Sequence, residues 1–224
     1  MSFFHFDPAL TRVSDKGKAW LNSLFIDHAI FRLVWTNFDT VIPGKVYRCN
    51  HPTPRRLRSL VHRYKIKTLV NLRGHRYCGS DALSRTESKK LGLDFYDLPF
   101  ESRGAPHRDR ILRLADTYSK MEFPILIHCK SGADRAGLVS ALIMLLEGRS
   151  VRQAMKQLSW KYGHFKHSRT GILDAFFMLY AQQTQEKQNF LDWVRHDYNE
   201  QELRSLFKAS KLSSFINDQI LHRE

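Results

Sequence analysis

The stretch that most constrains this chain lies near its middle. FPILIHC (123–129) is a near-continuous apolar run, and after a short loop containing Gly132 comes AGLVSALIMLLEG (136–148), apolar nearly all the way round. A strand without polar alternation is typical of one buried on both faces of a parallel sheet. A helix apolar on every side belongs in the centre of a domain, and Gly148 is a stop signal for it. Strand, tight loop and buried helix in that order point to a layered α/β architecture.

The flanking sequence alternates in the same way. KVYRC (45–49) and IKTLVNL (66–72) read as strands, and LDFYDLPF (93–100) as another strand end. Helices are expected over 55–64, over a short stretch ending near residue 90, and over 107–120, 150–162, 168–182 and about 188–208. Residues 18–38 read as an amphipathic helix running into an extended piece, with Trp20, Phe25, Phe31 and Trp35 as packing residues. The expected fold is α/β: a central, mostly parallel sheet flanked by helices, with a phosphate-binding loop between a buried strand and a central helix. The expected organisation is an N-terminal helical or extended segment (1–40), a core (41–183) and a C-terminal helical accessory segment (184–224).

Charge narrows the partners. With 36 Lys+Arg against 22 Asp+Glu, the 224-residue chain carries +14, a field that attracts phosphorylated substrates, nucleic acid or an acidic membrane face. The basic residues are scattered, and no helix-turn-helix, zinc-ligand or aromatic RNA-binding pattern stands out, so nucleic acid is not an expected partner. The window Trp20–Trp35 contains Asp27, His28 and Arg32 and is too short and polar to span a bilayer. No basic region precedes the first apolar residues, as a secretory signal would require. Three cysteines, Cys49, Cys78 and Cys129, form an odd, sparse set that suits a reducing compartment better than a disulfide framework. These features suggest a soluble cytoplasmic protein, with at most weak contact to a membrane surface.

The chemistry-bearing stretch is HCKSGADRAG (128–137). Cys129 closes the buried strand, and Arg135 opens the buried helix. A loop so placed can curl until its N–H groups converge on one point, where the positive end of the helix adds to the field, making a nest for phosphate. That field favours a cysteine thiolate. A planar guanidinium can hold two phosphate oxygens at once. A thiolate in line with phosphorus can then form a cysteinyl-phosphate that water hydrolyses. The scheme needs neither metal nor cofactor, and the sequence shows no cluster of metal ligands.

HCKSGADRAG resembles the signature loop of the cysteine-dependent protein tyrosine phosphatases, closest to their compact dual-specificity and bacterial branches. The resemblance extends from about Val41 to Tyr180 through VYRCNHPTP, LVNLRG and DLPFESRGAP. It implies that Cys129 is the nucleophile and Arg135 the phosphate ligand, with Lys130, Ser131, Gly132, Ala133 and Asp134 supplying loop donors. A phosphotyrosine or dual-specificity protein substrate is the leading expectation. An inositol phosphate or phosphoinositide is the alternative, motivated by Lys130 and the charge. The family usually has Ser or Thr after the arginine to assist release of the thiolate; here it is Ala136. A non-catalytic phosphate-binding module is therefore a second alternative. For the general acid, Asp97, 32 residues before Cys129, and Asp134, placed as in some bacterial relatives, stand level, with Glu101 behind them. Lys161, His164, Lys166, His167 and Arg169 read as a basic surface face, with part of a substrate rim as the alternative.

Overall fold

The structure, a computed structural model, describes residues 35–185 and 187–209. Strand β1 (Asp39–Ile42) pairs antiparallel with β2 (Val46–Cys49). Helix α1 (Pro54–Tyr64), β3 (Thr68–Asn71), α2 (Gly79–Lys90), β4 (Asp94–Asp97), α3 (Arg108–Tyr118) and β5 (Ile125–His128) follow. The sheet order is β1-β2-β5-β3-β4, and every pairing except β1–β2 is parallel. Beyond it lie α4 (Asp134–Leu146), α5 (Val151–Met155), α6 (Ile172–Thr184) and α7 (Phe190–His196), with short 3₁₀ turns at Trp160–Tyr162 and Arg169–Gly171. Residues 200–209 are also helical.

β5 is the central strand, and all four of its residues are buried. Ile125 and Ile127 point into the larger core with α3, α4, α6 and α7. Leu126 joins Tyr47, Cys49, Leu57, Leu60 and Leu69 on the opposite face, under α1. Apolar layers on both sides explain why this strand shows no alternation. Helix α4, with residues 136–143 all buried, runs through the larger core as its all-round apolar pattern requires. Phe190, Trp193, Val194, Tyr198 and Leu203 belong to that same cluster. Trp193 meets Phe176, Tyr180 and Tyr198 with ring centroids 5.1–5.5 Å apart.

Two local expectations change. The antiparallel edge strand β1 was not foreseen. The helix expected over 150–162 closes at Met155: a capping box between Ser150 and Gln153 starts it, and the chain turns through residues 156–163 to Gly163, whose φ is +79°. The amphipathic helix expected to run into an extended piece over 18–38 lies, up to residue 34, outside the described residues; 35–38 have no regular structure.

Parallel pairing aligns the carboxyl ends of the central strands. Cys49, Asn71 and His128 are in register, and Asn71 is in register with Asp97. In open α/β sheets ligands sit at this edge, and the loop 129–133 leaves β5 there.

Candidate active site

The loop between β5 and α4 is held from outside by its carbonyl oxygens. The His51 N–H donates to Lys130 O at 3.3 Å, and Asn37 Nδ2 donates to Ser131 O at 2.7 Å. The Arg48 guanidinium donates to Gly132 O at 2.6 Å and to Ala133 O at 3.2 Å. In a trans peptide the N–H points opposite to the carbonyl. Four carbonyls drawn outward therefore turn the N–H groups of residues 131–134 toward the inside of the loop. Two of these are already engaged: Gly132 N–H donates to Cys129 Sγ at 3.2 Å, and Ala133 N–H donates to Ser131 Oγ at 3.4 Å. Gly132 sits at φ +77°, and a Cβ there would lie 2.7 Å from both Asn50 N and the Asn37 side chain. Glycine is required on both counts.

Arg48 is fully buried, and among the described residues it has no carboxylate within ion-pair distance. Its other donor, Nη1, meets Gln157 O at 2.7 Å and Gln157 Oε1 at 2.9 Å, and its plane stacks 3.9 Å from the Tyr162 ring centroid. Burial pulls its pKa down to about 10, while Tyr162 and Cys129 act in the opposite sense. A cation thus stands behind the loop, beside the cysteine. Sequence reading took VYRC only as a strand; an arginine in a four-residue strand gives no local sign that it will reach residues 84 to 109 positions away.

Cys129 is 1% exposed, and the three described cysteines are free thiols. Lys130 and Ser131 are exposed at the mouth, and Arg135 is half-buried. Burial first, and then Arg73 and Arg76, push the Arg135 guanidinium below its usual range; Cys129 and Asp134 pull it back. Three arginines therefore share one field, two of them from the loop after β3. Ala136 is fully buried in the apolar core.

The three candidate acids lie in unlike surroundings. Asp97 is locked: Arg85 Nη2 donates to its two oxygens at 2.9 and 2.7 Å, and Asn71 Nδ2 donates at 3.0 Å. Arg85 also binds Asp81 at 2.7 Å, so Asp97 belongs to an ion-pair cluster at the sheet end. Glu101 pairs with Arg110 and lies 3.5 Å from His107. Asp134, in the first turn of α4, has Oδ1 at 2.8 Å from His164 Nδ1. His164 is buried, which corrects its reading as part of an exposed basic face; Lys161, Lys166, His167 and Arg169 are exposed as expected.

Among the described residues no helix is long and apolar enough to cross a membrane. A family profile described as "PTP-SAK: Swiss Army Knife protein, DSP-PTPase phosphatase domain" matches residues 36–170. Comparison with curated proteins finds no match. Among solved structures, TpbA of P. aeruginosa is similar at 20% identity, with 64% of this chain and 84% of that chain covered and a TM-score of 0.52. TpbA solved with pTyr is similar at 18%, covering 72% and 93%, with a TM-score of 0.52. The core catalytic domain of the PP-IP phosphatase from S. cerevisiae is similar at 18%, covering 68% and 95%, with a TM-score of 0.51. At these identities the likeness establishes the fold. The profile spans more than half of the chain and includes the whole loop, so this protein belongs to the DSP-PTPase phosphatase domain family, within the cysteine-dependent protein tyrosine phosphatase superfamily.

Proposed function

We propose that the protein hydrolyses phosphomonoesters through a cysteinyl-phosphate, with Cys129 as nucleophile, Arg135 as phosphate clamp and Asp134 as general acid. The observation that carries this reading is the loop itself: four carbonyls tied back, the amides turned inward, and one of them donating to Cys129 Sγ. Such a cradle stabilises charge on a transferring phosphoryl group and needs no reorganisation during reaction. The thiolate attacks phosphorus, the Sγ–P bond forms, and the P–O bond breaks as the departing oxygen takes a proton from Asp134. Water then attacks phosphorus, gives its proton to Asp134, and frees the thiolate and inorganic phosphate. No step uses a metal.

Asp134 is favoured over Asp97 because both Asp97 oxygens accept from Arg85, whereas among the described residues Asp134 has a side-chain partner on Oδ1 alone. The leading substrate class is phosphotyrosine or dual-specificity protein sites, in keeping with the neighbour solved with pTyr. A second reading, an inositol polyphosphate, is favoured by Arg73 and Arg76 in the field of Arg135 and by the +14 charge, and matches the PP-IP phosphatase neighbour. A panel of phosphopeptides and inositol phosphates, assayed in EDTA with wild type and Cys129→Ser, tests the proposal. Turnover lost in the variant supports it. A higher kcat/KM on inositol phosphates would move the substrate assignment to the second reading.

A further inference from the structure

The buried histidine between α5 and α6 has no part in the scheme above, yet it is tied directly to the loop. His164 is 2% exposed. Its Nδ1 lies 2.8 Å from Asp134 Oδ1 and its Nε2 lies 2.7 Å from Asp174 Oδ2. Two carboxylates facing the two nitrogens require both nitrogens to donate, so the ring sits between them as an imidazolium. Its pKa is raised to about 9: burial opposes the charge, and the hydrogen bonds and charges of Asp134 and Asp174 outweigh it. These are the carboxylates that face it, from α4 and from α6.

Resting on Asp134 as the general acid, we propose that His164, anchored by Asp174, is the positioning residue of the acid: it fixes Oδ1 of Asp134 and leaves Oδ2 for the departing oxygen. The sequence places Asp134 where its side chain could turn onto the helix terminus or toward solvent. A short charge-assisted bond to a buried ring removes that freedom. Asp174 in turn removes the rotational freedom of the ring, since Nε2 is held as firmly as Nδ1. The chain Asp134–His164–Asp174 crosses from the phosphate loop to the first turn of α6, which begins at Ile172.

The amide nitrogen of asparagine can occupy the place of Nδ1, and that of glutamine the place of Nε2. His164→Asn therefore keeps the donor to Asp134, and His164→Gln keeps only the donor to Asp174. The test is kcat and KM for these variants, and for Asp134→Asn, on aryl phosphates with poor and good leaving groups. General-acid catalysis contributes ~10²–10⁴-fold, so His164→Gln should lower kcat on phenyl phosphate by ~10- to 100-fold. On a dinitrophenyl ester it should change only a few-fold, with KM little changed. His164→Asn should recover most of the loss, because its donor to Asp134 Oδ1 is kept. Equal losses in the two variants, or losses independent of the leaving group, overturn the proposal and leave His164 as a structural tie. If His164→Gln does not fold, as read by circular dichroism, Asp174→Asn carries the test. It should lose several-fold on the poor leaving group alone, and an unchanged rate there overturns the proposal. If Asp134→Asn itself shows no dependence on the leaving group, the acid assignment fails. If Asp134→Asn shows it and His164→Gln does not, only the positioning role fails.

Discussion

Asp97 and Asp134 are both aspartates near the carboxyl ends of the central strands, and the sequence offers them as equals. The fold treats them differently. Asp97 ends β4, two strands from β5, and its oxygens are consumed by Arg85 and Asn71. Asp134 opens the helix that the phosphate loop runs into, and among the described residues its side chain has one hydrogen-bond partner, a buried histidine. A carboxylate held by several bonds is fixed in place. One held by a single nitrogen, with its second oxygen unengaged, can exchange a proton with substrate. Sequence distance from the nucleophile does not separate these cases; the neighbours do.

The largest expected effect tests the proposed nucleophile. Cys129→Ser should reduce turnover to background in a steady-state assay while leaving phosphate-analogue binding intact, because the loop amides and Arg135 remain. Next, Asp134→Asn should lose ~10²–10³-fold in kcat on phenyl phosphate and much less on a good leaving group. Asp97→Asn should hold kcat within ~5-fold and instead lower the melting temperature, since one oxygen of a bidentate pair costs about 1–3 kcal/mol when its bond to a charged group is lost. A larger loss in Asp97→Asn than in Asp134→Asn on the poor leaving group would reverse the comparison.

Arg48→Met sharpens the contrast from behind the loop. It strips the partners from Gly132 O and Gln157 O, at about 1–3 kcal/mol for each buried acceptor left unpaired, whereas Ala133 O keeps the Gly137 N–H. A large drop in melting temperature is expected, with weaker binding of phosphate analogues as the loop amides lose their orientation. The smallest effect is on pH. His164 has its pKa raised by folding, so its contribution to stability is complete below about 6.5 and is lost as pH rises through about 9. Thermal melts from pH 6 to 10 should show this decline, and Asp174→Asn should flatten it.

Much of this was legible before any coordinates. The apolar run of β5 and the all-round apolar face of α4 each report burial on every side, and between them the spacing of Cys129 and Arg135 announces the loop. The legible features are those whose cause lies in consecutive residues. β1 was missed because DTVI offers four residues, only one of them fully buried, at an edge. Arg48, Asn37 and His164 were missed because their partners are distant in sequence: Asn37 meets the loop across 94 residues and Arg48 across 84. In a basic chain, nothing local distinguishes a histidine between two carboxylates from one on a charged face.

The most direct test of the central claim is to trap the intermediate. Wild-type protein mixed with a phosphorylated aryl substrate in EDTA, quenched on the millisecond scale and digested, should carry a phosphoryl group on the peptide containing Cys129, at a level that rises and decays with turnover. Turnover without that adduct, persisting in Cys129→Ala, would contradict the account.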